Sequence, residues 1–331
     1  MMAGYSLFIG ANTARGYEHF LREITPEHGR VCVVRGPAGT ERHRLIARLA
    51  DQWEAAGREV TRYLDPEDAH RLAAAVSGDW TILDGAAPHQ VEPAPGTMLV
   101  DLSAALDRNT MEACRKELAE LHQRIRNLRL RAGRCLRAAE GASEDAAAIY
   151  AEAVDAGSVY NLRLELSRWL TGAPGPRHRA FAQAVTAEGV VRLHESLNRE
   201  NRRALRLPWG YDPNGLLAPL AAALRANDTG YLAAMQLLDG GRLAHLCTAT
   251  HSLTTEVTEE NWDLKFDQTV LQRERQALRF DQAAWELGLH QAAEALREAR
   301  QARDSLERLT ADALDRDKQA EMMDRATGYF R

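Results

Sequence analysis

Short apolar runs alternate with amphipathic segments along the first hundred residues of the chain. The β-branched run VCVV at residues 31–34 predicts a buried strand. Residues 43–55 predict a helix, because four large apolar residues share one helical face: Leu45, Ile46, Leu49 and Trp53. Strands are also predicted at VTRYL, at WTILD ending with Asp84, and at MLVDL near residue 100, with a helix over 66–76. This alternation is typical of a parallel, helix-covered sheet, so the pattern predicts an α/β protein.

Two long stretches change to a helical pattern, with apolar residues spaced three and four apart as in a heptad repeat. The first follows Leu106 and carries Met111, Cys114, Leu118, Leu121, Ile125, Leu128, Ala132 and Cys135. The second extends from about Trp262 to the C-terminus and carries Leu271, Leu278, Trp285, Leu289, Leu296 and Leu306. We therefore predict a coiled-coil-like helical appendage at about residues 105–165 and a second helical region at about 262–331.

The chain matches itself when it is shifted by 173 residues. This shift lays residues 8–24 over 181–197, and the identical pairs include Phe8/Phe181, Ala11/Ala184, Thr13/Thr186 and Gly16/Gly189. It also brings residues 30–50 onto 203–223, so that an apolar strand, a Gly/Pro loop and an amphipathic helix recur in one order. A duplication explains this agreement better than chance. It predicts a first unit at 1–170, a Pro/Gly-rich linker at 171–179 and a second unit at 180–331.

Composition agrees with two ordinary globular units. The 331 residues are 45% hydrophobic and 27% charged, far from the regime of disordered chains. No run of about 18 apolar residues and no secretory leader pattern occurs, so we expect a cytoplasmic protein without a membrane partner. The net charge of −5 gives no overall basic field for nucleic acid, and the four cysteines lack zinc-finger spacing. Lysine occurs only at Lys116, Lys265 and Lys318, so arginine carries almost all the positive charge.

The loop after the first long strand lies where a phosphate-binding loop of the form GxxxxGK[ST] would open a helix. Three residues of its frame are present, Gly36, Gly39 and Thr40. Glu41 replaces the second glycine, Arg42 the lysine and His43 the hydroxyl residue. The Glu41 carboxylate would repel polyphosphate, and a planar guanidinium does not fit such a loop as a compact ammonium does. The loop is therefore predicted to have lost the residues that ATP hydrolysis needs.

The arginines of the loop region and the carboxylate at Asp84 each allow two interpretations. Arg35 and Arg42 either contact phosphate or are solvated arginines at a surface turn. Asp84, at the tip of a predicted strand, either holds Mg²⁺ through water, as a Walker B acid does, or caps the next turn. No catalytic glutamate follows it, since the next residues are Gly85 and Ala86.

The second copy of the loop, WGYDPNGL at residues 209–216, keeps turn formers but has no cation at the lysine position and no hydroxyl after it. We interpret it as structural, with Leu216, Leu217 and Leu220 packing a helix on the sheet. Cys247 is predicted to fall near the position that corresponds to Asp84.

Three motifs resemble an uncharacterised family of tandem P-loop ATPase-like proteins of spore-forming, Gram-positive bacteria. The likeness covers nearly the whole chain. Its residues are Phe8, Gly10, Ala11, Asn12, Thr13, Gly16 and Tyr17, then Leu83 to His89, then Val185, Thr186 and Gly189. The resemblance implies a P-loop NTPase fold in both units and, for typical members, ATP binding. Asn12 and His89 match the family motifs and would line a site, with a capped loop residue as the equal alternative for His89, which follows Pro88.

The departures from the family pattern favour a non-hydrolysing pseudo-NTPase that works as a binding or scaffold protein. ATP binding is expected to be weak or lost, and Mg²⁺ is not expected. The residues that would contact a nucleotide are Arg35, Gly36, Gly39, Thr40, Arg42 and Asp84, with no catalytic residue and no metal ligand assigned. The expected partner is another protein, or a second copy, bound through the helical appendages. The alternatives are an ATPase or nucleotide kinase that uses Arg35 or Arg42, and, less favoured, nucleic-acid binding through Arg124, Arg126, Arg129, Arg131, Arg134 and Arg137.

Overall fold

The structure, a computed structural model, describes residues 5–25, 29–86, 88, 96–235, 237–238 and 242–330. Two sheets lie in two similar halves of the chain, and long helices follow each sheet. The α/β class and the two-half organisation predicted from the sequence are confirmed.

The first sheet has six strands: β1 (Ser6–Phe8), β4 (Arg30–Arg35), β5 (Thr61–Asp65), β6 (Asp68–Ser77), β7 (Trp80–Asp84) and β8 (Met98–Asp101). A separate hairpin is formed by β2 (Gly10–Thr13) and β3 (Gly16–His19), and the helices are α1 (Leu21–Ile24) and α2 (Arg42–Ala55). The strand order is β1-β5-β6-β7-β4-β8, and β6 is antiparallel to both of its neighbours. The sheet is therefore mixed, whereas the sequence pattern predicted a parallel one.

The antiparallel strand β6 occupies the stretch where the sequence predicted a helix over 66–76, and that prediction was wrong. Ala73, Ala74 and Ala75 are buried at the centre of the sheet. Alanine has the highest helix propensity, but burial on both faces of a central strand outweighs a preference of a few tenths of a kcal/mol.

The second sheet repeats this topology with five strands: β9 (Arg177–Ala180), β12 (Asn201–Leu207), β13 (Tyr231–Met235), β14 (Leu243–Cys247) and β15 (His251–Val257). Its hairpin is β10 (Gln183–Thr186) with β11 (Gly189–Arg192), and its helix is α6 (Asn214–Ala226). The order β9-β13-β14-β15-β12 matches β1-β5-β6-β7-β4 of the first sheet, and β14 is again antiparallel to its neighbours. Strand β8 has no counterpart among the described strands of the second sheet. Strand β9 begins inside the segment predicted as a linker, 171–179.

Six helices follow the sheets: α3 (Arg108–Ala113), α4 (Arg115–Ala153) and α5 (Ala156–Trp169), then α7 (Gln268–Arg273), α8 (Arg275–Asp312) and α9 (Arg316–Gly328). The two long helices, α4 and α8, pack against each other along the heptad seams. They are antiparallel, because Leu106 before α3 bridges Leu314 after α8, and Val154 after α4 bridges Phe266 before α7. The heptad pattern thus predicted the two long helices. Each of them packs against its counterpart from the other half.

The two halves are related by an approximate two-fold axis. Phe8 and its duplicate Phe181 form an antiparallel bridge with each other, and the Phe8 N–H donates to the Phe181 carbonyl at 2.8 Å. The helix caps repeat the symmetry: the Asp107 N–H donates to the Ala313 carbonyl, and the Asp267 N–H to the Ala153 carbonyl.

The last helix of each half packs on the sheet unit of the other. Helix α5 lies against α6, where Leu162 and Leu166 share a core with Leu217. Helix α9 lies against α2, where Ala326 and Phe330 join the hydrophobic core between α2 and the first sheet. Neither half is a closed unit, since each completes its core with a helix from the other.

Within the described part of the chain, no helix combines the length and the apolar composition that crossing a bilayer requires.

Candidate functional site

The loop predicted to resemble a phosphate-binding loop, residues 36–43, extends from the end of β4 into the start of α2. Its two glycines have positive φ angles, +148° at Gly36 and +90° at Gly39, which side chains rarely adopt. Strand β7 is parallel to β4 with Val34 opposite Asp84, so the Asp84 carboxylate lies beside the loop. Arg35 is the last residue of β4 and pairs in register with Asp101.

The guanidinium of Arg42 turns back into the loop. Its Nη1 donates to the carbonyls of Gly36 and Pro37 at 2.5 Å each, and its Nε donates to Asp84 Oδ1 at 2.8 Å. The side chains of Arg42 and Asp84 are only 14% and 16% exposed. Arg42 is therefore not a solvated arginine of a surface turn, because it binds two carbonyls of the loop and the carboxylate of Asp84.

Of the two interpretations of Asp84, the geometry favours the turn cap. Besides Arg42, its Oδ1 accepts the Ala86 N–H at 2.8 Å, so the carboxylate caps the turn after β7. A Walker B carboxylate must face a metal-bound water, but this one is neutralised by a guanidinium at hydrogen-bond distance. The geometry does not fit a hydrated Mg²⁺ held by Asp84 and the loop.

The residues at the end of the loop, from Thr40 to His43, also form contacts with their near neighbours in the chain. Glu41 has a left-handed backbone, with φ +52°, and its carboxylate pairs with Arg44 Nη1 at 2.7 Å. The Thr40 hydroxyl donates to the Pro37 carbonyl at 2.8 Å. Burial, with help from the nearby Arg71, lowers the pKa of His43, so its ring is neutral near pH 7. The expected repulsion by Glu41 is softened because Arg44 compensates that charge.

Helices of the second half cover the loop. A Cβ placed on Gly39 would lie 2.8 Å from the Glu307 carbonyl oxygen and 2.9 Å from the Cβ of Thr310, both on α8. The buried side-chain amide of Gln319, on α9, donates to the Thr40 carbonyl at 2.8 Å. The loop is thus part of the contact between the halves.

A cavity of about 610 Å³ remains above the loop, between the sheet and α8. Buried ion pairs join its walls, some across the two halves and one within the first half. Arg303 of α8 donates to Asp65 at 3.1 Å and to Asp68 at 3.3 Å, and Arg129 of α4 binds Glu67 at 2.5 and 2.7 Å.

Arg71 forms a further pair across the halves with Glu307. Burial raises the pKa of Glu307, but the hydrogen bond from Arg71 and the charges of Arg71 and Arg303 together outweigh it and hold that pKa below its usual value. The sequence did not reveal this cluster, because its members are far apart in the chain. The available signal was the arginine-rich stretch 124–137, where Arg129 had been considered for nucleic acid.

The other predicted residues are divided among several places. Asn12 lies on β2 opposite Tyr17, and its side-chain nitrogen is buried without a partner among the described residues. His89 lies outside the described residues. Of the arginines considered for nucleic acid, Arg137 donates to the Ala14 carbonyl at 3.2 Å and Arg131 is 3.7 Å from Glu298, so these arginines do not form one free basic face.

The second loop lies below a cavity of about 490 Å³. Strand β15 is parallel to β12 with Leu207 opposite Val257, so Val257 occupies the position that Asp84 has in the first half. The expectation that Cys247 corresponds to Asp84 was wrong, because Cys247 ends β14, the duplicate of β6. No family model, curated protein or solved structure matches the chain.

Proposed function

We propose that the protein is a non-hydrolysing, P-loop NTPase-like binding protein whose first phosphate loop has become a structural joint between its two halves. The observation that carries this proposal is the position of the Arg42 guanidinium, which binds the Gly36 and Pro37 carbonyls and Asp84. A bound triphosphate would have to displace these bonds and leave the Asp84 carboxylate unpaired beside phosphate charge.

The cover over the loop supports the same conclusion. Glu307 and Thr310 of α8 are in close contact with the backbone at Gly39, and Gln319 binds the Thr40 carbonyl. These contacts hold the backbone at Gly39 and Thr40 against α8 and α9, whereas a catalytic loop needs its backbone free to surround the polyphosphate. The second loop adds no substitute, because Gly215 and Leu216 stand where lysine and a hydroxyl residue are needed.

The helical pair supports a role in binding another protein. Phe280 and Leu287, seven residues apart on α8, are 73% and 56% exposed. Large apolar side chains at this spacing form a strip on one helix face, which is a common feature of helix-mediated contacts.

The test is isothermal titration of the full chain with Mg·ATP, together with a phosphate-release assay. We expect no saturable binding up to about 1 mM ATP and no phosphate release above background. Micromolar affinity with steady phosphate release would overturn the proposal.

The alternative enzyme, an ATPase or nucleotide kinase that uses Arg42, has one observation in its favour: a cavity of nucleotide size lies on the loop, with Arg71 and Arg303 in its wall. The two proposals differ in what Arg42→Ala does. The enzyme would lose a measurable turnover in this variant, whereas the binding protein has no turnover to lose and changes only in stability. Arg44→Ala, next to the loop but on the surface, is the matched control.

A further inference from the structure

The second cavity occupies the same place in the fold as the charged cavity of the first half, but its chemistry is different. The long helices α4 and α8 begin 160 residues apart, at Arg115 and Arg275, so positions on them correspond at that offset. Both cavities lie between the phosphate loop, the adjacent strand ends and these helices. Equivalent wall positions can therefore be compared directly.

The comparison shows that charged groups of the first cavity are replaced by uncharged ones in the second. Asp84 corresponds to Val257, and Arg303 corresponds to Ser143. Arg42, the cation of the first loop, corresponds to Gly215. Arg192 and Glu256 also line the second cavity, so the described lining residues carry one charge of each sign and no net charge that would attract a polyphosphate.

Aromatic rings line the second cavity at positions where the first half has smaller, uncharged residues. Trp209 stands where the first loop has Gly36, and Trp285 stands where α4 has Ile125. The two indole rings are 5.8 Å apart between centroids and inclined at 67°. Tyr211 also lines the cavity. The two indoles therefore meet edge to face, and the aromatic surface that this pair presents to the cavity favours a flat, uncharged ligand.

Two histidines in the same wall carry ring nitrogens that have no partner among the described residues. His194 and His245 are in edge contact, with centroids 4.3 Å apart, and Nε2 of each is buried and without a hydrogen bond. The Thr255 N–H donates to His245 Nδ1 at 3.4 Å, so Nε2 carries the proton of the neutral ring. Burial lowers the pKa of His245 to about 3, which keeps that ring neutral. An unmatched buried N–H is uncommon in folded proteins and calls for a ligand or a water.

We propose that the second cavity binds an uncharged, planar heteroaromatic molecule, of the size of a fused two-ring base, which accepts a hydrogen bond from His245. Trp209 and Trp285 supply the stacking surface, and the histidine N–H distinguishes heterocycles with an acceptor nitrogen or carbonyl from plain aromatic rings. The site is separate from the loop that contains Arg42 and does not depend on the function proposed for it.

The test uses two probes of the same shape, benzimidazole and indole, in ligand-observed NMR titrations of the full chain at pH 7.5. Only benzimidazole has a ring nitrogen that accepts a hydrogen bond. We expect a Kd for benzimidazole of about 0.1–1 mM, in the range open to a ligand of this size, and at least fivefold weaker binding of indole. Failure of benzimidazole to bind below 5 mM, or equal binding of indole, would overturn the proposal.

Three variants locate the site. His245→Phe keeps a planar ring and removes the donor, so it should abolish the preference for benzimidazole over indole. A general loss of stability would weaken the binding of both probes alike and leave the ratio of their Kd values unchanged. Trp209→Leu should weaken both probes at least fivefold. Trp262→Leu is the matched control, because Trp262 packs on Tyr150 and Phe266 and does not line the cavity. An unchanged preference in His245→Phe, or unchanged affinity in Trp209→Leu, would contradict the assignment.

Discussion

At the scale of single residues, the guanidinium of Arg42 makes contacts that a lysine could not make together. Its planar fork offers five N–H donors in fixed directions, and here they reach two loop carbonyls and one carboxylate. A lysine ammonium is a compact charge on a flexible stem, which can leave the loop carbonyls when phosphate arrives. Exchange of lysine for arginine therefore turns a mobile cation into a fixed one.

This arrangement predicts that Arg42→Ala is strongly destabilising. The Asp84 carboxylate would lose its partner in a mostly buried site, a change that costs about 3 kcal/mol. Arg44→Ala, which removes an exposed pair within α2, should cost less than about 1 kcal/mol. The measurement is the free energy of urea unfolding, with a double-mutant cycle that includes Asp84→Ala. A coupling energy near zero would show that the two side chains do not stabilise each other.

The buried charges of the first cavity set the limit of what the residues alone could reveal. Glu67 and Arg129 are 62 positions apart, and Arg71 and Glu307 are 236 apart. Their pairing depends on how α4 and α8 lie over the β5–β6 turn, which no local pattern encodes. The position of the loop was predictable, because an apolar strand, a Gly/Pro segment and an amphipathic helix follow one another directly along the chain.

At the scale of elements, helix α8 meets the first loop at a glycine that leaves no room for a side chain. The φ angle of +90° at Gly39 already favours glycine, and the backbone of Glu307 lies where a Cβ would be. The loop keeps its glycine for contact with a helix from the other half, and phosphate is not needed to explain it.

Gly39→Ala should therefore cost more than a glycine substitution in an open turn. Gly57 is the matched control, with φ +76° and open space around it, so Gly57→Ala pays only the backbone strain of about 1–2 kcal/mol. We expect Gly39→Ala to cost about 2 kcal/mol more, measured as the difference in free energy of thermal unfolding. Equal losses of unfolding free energy in the two variants would mean that α8 does not exclude a side chain at Gly39.

The elements also show where sequence patterns stop being informative. The β-branched run at 31–34 and the heptad seams were reliable, because each pattern has one stable way to bury its apolar face. The alanines at 73–75 were misleading, because a short run of small apolar residues suits a central strand as well as a helix. The seams indicated that α4 and α8 pack, but a seam does not specify which helix lies opposite.

At the scale of the whole molecule, the exchange of α5 and α9 ties the stability of each half to the other. Phe330, close to the C-terminus, packs against Trp53 and Trp80 of the first sheet unit, with ring centroids 6.1 and 4.9 Å away. We expect the chain to unfold in one cooperative step, because neither core is complete without a helix from the other half.

Phe330→Ala tests this coupling. Removal of a buried aromatic ring costs about 3–5 kcal/mol, whereas Tyr329→Ala, at an exposed neighbouring position, should cost less than about 0.5 kcal/mol. Calorimetry should show a single transition that shifts as a whole in Phe330→Ala. Separation into two transitions, with only one of them shifted, would show that the halves fold independently.

The approximate two-fold axis through Phe8 and Phe181 has a genetic consequence. In a symmetric homodimer, one codon sets both copies of a position, so a substitution useful at one cavity is imposed on the other. A chain that contains both copies has two codons for each such position. One cavity can then carry Arg303 while its counterpart carries Ser143, and selection can act on each separately.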